Sequence, residues 1–131
     1  MLRRLKPFMI ENSKVPVFLS KFAPIDIWAI SFGFWVWCRG NLSEVTKRHE
    51  TIHFQQQLEC LFVGQWILYG SWWLAGYIKF RLQNVRNPGR AAYYCSPFEM
   101  EAYSNELDET YLATRRRYSW VKYVGADCDD Y

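Results

Sequence analysis

The chain is expected to fold as an α+β domain, mostly helical, with one small strand or hairpin ahead of its main helix. Three observations lead there. Residues 25–38, "IDIWAISFGFWVWC", are dense in β-branched and aromatic side chains, which suit a pleated, half-buried surface. Beyond them, apolar residues recur at spacings of three and four, first from Val45 and again from Met100, the period of a helix with one buried face. The length, 131 residues, gives room for one domain with one modest core.

Taken in order, residues 1–24 carry Pro7, Pro16 and Pro24 and are read as an irregular, extended lead-in. Residues 25–38 then form one long strand or a hairpin kinked near Gly33, and "RGN" (39–41) is a turn. A helix opens after it, with Asn41 as the cap and Glu44 completing a capping box. Its inward stripe runs Val45, His49, Ile52 with His53, Gln56, Cys60 and Val63.

Residues 60–78 hold 19 positions without a charge, close to the length of a membrane span. Gln65, Ser71 and three glycines (Gly64, Gly70, Gly76) interrupt that character. One helix over 43–80 would be about 57 Å long, too long for a domain of this size, so a break near Gly70 into two packed helices is expected. The stretch is read as an apolar, aromatic surface for a membrane or a protein partner. "NVRNPGR" (84–90) is a loop. A last helix opens with Ser96 as cap, Pro97 in the first position and Glu99 in the first turn. It is expected to run to about Tyr118, with Met100, Tyr103, Leu107 and Tyr111 as its apolar stripe. Residues 119–131 are read as a flexible tail of the same single domain, 1–131.

Composition excludes some partners. The net charge is +3 and aromatics make up 19% of residues. The basic runs "RRLK" (3–6) and "TRRRY" (114–118) are short and lack the interleaved aromatics of a nucleic-acid groove, so they are read as solvated faces, with no nucleic-acid partner. Cys38, Cys60, Cys95 and Cys128 are far apart without a C-x-x-C pair, which speaks against a cysteine metal site. Pro7, Glu11 and Asn12 break up any secretory signal. Free thiols in a cytoplasmic or virion-associated protein are the expectation.

The chemistry concentrates in "KRHETIHFQQQ" (47–57), which contains both histidines of the chain. On a helix, His49 and His53 project from one face one turn apart, where two imidazoles can meet a single tetrahedral Zn²⁺. Glu50 is rotated about 100° from His49, so its carboxylate reaches a water on the metal rather than the metal. Burying two unpartnered imidazoles side by side is costly, and a shared cation removes that cost. A third ligand must then be acidic. Glu59 points away from the histidine face, which leaves Glu99 and Glu101 of "PFEMEAYSNELDE". Glu99 also suits a capping box, and Glu101 suits solvent.

"HETIHFQQQ" resembles the H-E-x-x-H-x-x-Q-Q core of small gluzincin-type zincin metallopeptidases, and "PFEMEAY" resembles their downstream E-x-E-A-x element. A compact version of this arrangement is similar to small proteins of Bacteroidetes-type bacteria and tailed phages; the likeness covers about residues 25–105. It implies a minimal zincin-like domain in which His49, His53 and Glu99 hold Zn²⁺, with Glu101 as the alternative third ligand. Alignment on E-x-E-A favours Glu99. Zincins often carry Asp or Asn four residues after the ligand glutamate; Tyr103 stands there after Glu99, and Asn105 after Glu101. The resemblance further implies an edge strand, here 25–37, that pairs with an extended substrate. The implied activity is hydrolysis of an amide bond, peptide or peptidoglycan-like, through a zinc-bound water with Glu50 as general base. With both histidines on the metal, Tyr93, Tyr94, Tyr103 or a backbone N–H has to stabilise the oxyanion. The alternative is a non-catalytic structural zinc protein, such as a minor phage virion or membrane-associated assembly component.

Overall fold

The computed structural model describes residues 6–22 and 29–128. It is α+β and mostly helical, as expected. The strands are β1 (Phe8–Ile10), β2 (Ala29–Phe32) and β3 (Trp35–Cys38); the helices are α1 (Val15–Ser20), α2 (Glu44–Glu59), α3 (Val63–Leu82), α4 (Pro88–Tyr94), α5 (Pro97–Asn105) and α6 (Tyr111–Thr114). A 3-10 helix, Ser119–Tyr123, follows.

Of the two readings of residues 25–38, the hairpin is correct for its described part; 23–28 lie outside the described residues. β2 and β3 pair antiparallel from Ala29↔Cys38 to Phe32↔Trp35, joined by a two-residue turn whose Gly33 takes φ +64°, the left-handed region that tight hairpin turns require. The lead-in is more ordered than its prolines suggest. β1 adds to β3 in parallel, giving the order β1-β3-β2. Pro16 sits in the first turn of α1, where a missing N–H costs nothing. β2 is therefore a sheet edge beside α2.

The hairpin is fastened to α2 by Gln57, whose Oε1 accepts from the Gly33 N–H (2.8 Å) and from Trp66 Nε1 (3.2 Å). Its Nε2 donates to Ser31 Oγ at 2.8 Å. α2 is capped by Ser43, which accepts from the Thr46 N–H at 3.1 Å, and not by Asn41. Its buried run is continuous from His49 to Gln57, because the sheet covers one side and α5 the other.

The break between α2 and α3 falls at Leu61–Phe62, not at Gly70. Leu61 and Phe62 have φ of 55° and 58°. The Phe62 N–H donates to the Gln57 carbonyl at 2.7 Å and the Leu61 N–H to the Leu58 carbonyl at 3.4 Å, the bond pair of a Schellman ending. A leucine in that conformation costs roughly 1–2 kcal/mol. The contact of the Phe62 ring with Phe34, centroids 5.1 Å apart, offsets part of that cost. Consequently Cys60 is only partly buried and Val63 is exposed, off the inward stripe expected for them. Gly70 lies within α3 with open space where a Cβ would be. Gly76 has a packing role: a Cβ there would stand 3.2 Å from that of Ala92, a tight contact that α4 would have to yield to by a few tenths of an ångström.

The last helix is shorter than its stripe predicts. α5 ends at Asn105, and Leu107 is exposed. Its inward residues are Phe98, Glu99, Glu101 and Ala102, and Phe98 packs at a tilt against Trp120 of the 3-10 helix, centroids 4.7 Å apart. The tail is thus tied down: Trp120 is buried, and Cys128 is disulfide-bonded to Cys95. The expectation of four free thiols is corrected by that bond, since spatial approach across 33 residues leaves no mark in cysteine spacing. Cys38 and Cys60 are free thiols. Residues 1–5 and 129–131 lie outside the described part. Among the described residues no helix is long and apolar enough to cross a membrane.

Candidate metal centre

α2 packs against α5, and the contact brings three potential ligands together. His49 and His53 rise one turn apart from α2, and Glu99 faces them from the first turn of α5. Glu99 Oε1 lies 2.9 Å from His53 Nε2 and Glu99 Oε2 3.3 Å from His49 Nε2. The two Nε2 atoms are 3.1 Å apart. All three residues are buried and their ligand atoms fall within 4.8 Å of one another, a group able to hold a metal ion.

The outer partners fix what these atoms can do. His49 Nδ1 is 2.7 Å from Glu106 Oε2, and a carboxylate only accepts, so Nδ1 donates. His53 Nδ1 is 2.8 Å from Gln56 Oε1. The orientation of that amide is set by its other end, where Nε2 donates to the Phe98 carbonyl at 3.0 Å and to Glu101 Oε1 at 3.2 Å. Gln56 therefore presents its oxygen, and His53 Nδ1 donates as well. In the neutral tautomers this leaves two imidazole lone pairs and a carboxylate converging on one buried point. Such a set repels itself unless a cation or protons stand between. The donor types, two imidazoles and one carboxylate, match those that hold catalytic zinc.

In the metal-free protein, protons take the cation's place. Burial alone would lower the His49 pKa, yet its hydrogen bonds to Glu106 and Glu99 overcome this and push it up to about 10. His53 is likewise raised, against its burial, mainly by the charge of Glu99. Burial would raise Glu99, but the charge of His53 and the hydrogen bond from His49 hold it far below the usual carboxylate range. Glu99 Oε1 also accepts from the Tyr69 hydroxyl at 3.2 Å, whereas Oε2 faces His49 Nε2 at 3.3 Å.

Of the two acidic candidates, Glu99 reaches the histidines and Glu101 does not. Glu101 receives Arg115 Nε at 2.6 Å and Nη2 at 3.0 Å, and the Tyr111 hydroxyl at 2.8 Å. Arg115 spans to Glu59 at 2.6 and 2.9 Å, which accounts for a glutamate on α2 turned from the histidine face. The capping-box role for Glu99 is not taken up: Ser96 caps without a side-chain bond. Glu50 is buried on α2 beside His49. Desolvation raises its carboxyl above the ordinary value, while His53 and His49 pull it back down. Tyr103 meets the His49 ring edge to face, centroids 4.4 Å apart, and its hydroxyl meets that of Tyr93 at 3.3 Å.

Tyr69 and Glu106 are site residues that the motif did not single out, and Gln56, a position of the H-E-x-x-H-x-x-Q-Q pattern, had no role assigned to it. Gln56 had a signal, the third position after His53. Glu106 had a weaker one, two helical turns after Glu99, although α5 itself stops one residue short of it. Tyr69 had none, as its place depends on the Leu61–Phe62 break. The chain matches no protein-family model, no curated protein and no solved structure.

Proposed function

We propose that the protein is a zinc-dependent, zincin-like hydrolase of amide bonds, with His49, His53 and Glu99 as the metal ligands and Glu50 as the general base. The observation that carries this reading is the convergence of both Nε2 atoms and the Glu99 carboxylate while each Nδ1 is engaged elsewhere. A zinc ion held there supplies Lewis acidity, lowering the pKa of water to about 7 and polarising a carbonyl. Glu106 and Gln56 hold the two rings in the ligating tautomer. Glu50, buried and with its carboxyl raised, is suited to take a proton from attacking water and pass it to the leaving nitrogen. Tyr103, beside His49 and more exposed than the ligands, has a phenol able to donate to a developing oxyanion. The edge of β2, unpaired among the described residues, offers backbone groups to an extended peptide or peptidoglycan-like substrate.

A second reading has its own support. The triad and Glu50 are all buried, as in a zinc site that holds a fold together. Glu50→Gln separates the two. For the hydrolase, the variant keeps its zinc and loses amide hydrolysis at least ~100-fold, assayed on a mixed peptide library. Undiminished hydrolysis would refute the role of Glu50. A zinc-loaded wild type with no hydrolysis, which unfolds on chelation, would favour the structural reading.

A further inference from the structure

The outer face of α3 has no partner among the described elements and no charge along most of its length. α3 packs inward on α4 and α2, while Tyr69 and Trp72 meet Phe98 of α5. Val63, Ile67, Leu74, Ile78 and Leu82 face outward, each more than half exposed. At 100° per residue they fall within one stripe, which Gly70, Ser71 and Ala75 complete; all three are exposed. The stripe follows a helix of 20 residues, about 30 Å long. Isolated exposed leucines are ordinary on a protein surface, but a contiguous apolar strip of this kind marks an interaction site.

Charge indicates the partner. No Asp or Glu occurs between Glu59 and Glu99, whereas Lys79, Arg81, Arg86 and Arg90 all fall in that interval and all are exposed. Lys79 and Arg81 are the only charges of α3 and both lie in its last turn. Apolar residues along the outer face and cations at one end are features of a helix that lies in the plane of a membrane surface; the single carboxylate lining the hollow beside Ala75 and Lys79 is that of Asp127. The cations suit an anionic surface in particular. A second copy of this chain would bring the same cations and no acidic counterpart from α3.

We propose that the outer face of α3 docks in the plane of an anionic lipid bilayer, seated by Val63, Ile67, Leu74, Ile78 and Leu82 and steered by Lys79 and Arg81. This goes beyond the hydrolase reading and does not depend on it.

The test is co-sedimentation of the full chain with phosphatidylcholine vesicles containing roughly one-third phosphatidylglycerol. Binding is expected at low salt, weaker as salt rises and weaker on pure phosphatidylcholine. The triple variant Ile67→Gln, Leu74→Gln, Ile78→Gln changes only exposed positions, so its circular dichroism should match the wild type while vesicle binding falls at least ~10-fold. Lys79→Gln with Arg81→Gln should weaken binding roughly fivefold per cation removed. No binding to anionic vesicles at low salt would overturn the proposal, as would a folded triple variant that binds like wild type. So would a wild-type dimer, seen by light scattering, that ignores vesicles and is dissolved by the triple substitution.

Discussion

Gln56→Met tests whether the tautomer of His53 is set by its neighbour. Gln56 is fully buried, and methionine fills nearly the same volume, so a cavity contributes little. The cost comes from the hydrogen bonds. The His53 Nδ1–H loses its acceptor at 2.8 Å, leaving a buried donor unsatisfied at about 1–3 kcal/mol. Glu101 keeps Arg115 and Tyr111, so the loss of its 3.2 Å bond from Gln56 adds little. Without Gln56, His53 is free to carry its proton on Nε2, the atom that faces Glu99. Zinc affinity should therefore fall by roughly 10–100-fold, the usual effect of removing such an outer partner. The assay is zinc competition against a chromophoric chelator, with circular dichroism confirming the fold. A folded Gln56→Met protein with wild-type zinc affinity would refute the reasoning.

The rest of the site gives two further predictions. Arg115→Met leaves Glu59 and Glu101 buried without their shared cation, and stability should fall by about 3–5 kcal/mol in urea denaturation; a loss under ~1 kcal/mol would mean that the bridge is open to solvent. Zinc loading at pH 7.5 should release protons, because the metal-free His49 is half-protonated only near pH 10 and must lose its Nε2 proton to bind. Calorimetry in buffers of different ionisation enthalpy should report that release, with affinity weakening as the pH drops. Identical heats in all buffers would contradict it. In the metal-free protein, the raised His49 pKa contributes stability fully below the ordinary value of 6.5, which is lost as the pH climbs through about 10.

What could be read from the sequence and what could not divide along physical lines. The His49/His53 pair was legible because helical spacing is a local property, and "FEMEAY" supplied an acidic partner of suitable chemistry. The choice between Glu99 and Glu101 was not legible. Both lie in α5, and the decision rests with Arg115, fourteen residues beyond Glu101, which claims one carboxylate and leaves the other to the histidines. The hairpin was marked by Gly33 and its flanking aromatics. The α2–α3 break went to the wrong place because its left-handed residue is Leu61, where glycine is the usual signal, while Gly70 and Gly76 sit inside a helix for want of any conflict. β1 and α1 were hidden by prolines that tolerate those positions. The buried tail was hidden because it depends on Trp120 meeting Phe98 and on the Cys95–Cys128 bond, both contacts of long sequence separation.

The central claim is that His49, His53 and Glu99 form a metal site. Elemental analysis of the purified wild type, beside His49→Ala and Glu99→Gln, tests it most directly. The account predicts about one zinc per wild-type chain, little or none in His49→Ala, and a marked loss in Glu99→Gln. A folded wild type that holds no zinc, even after incubation with the ion, would contradict it.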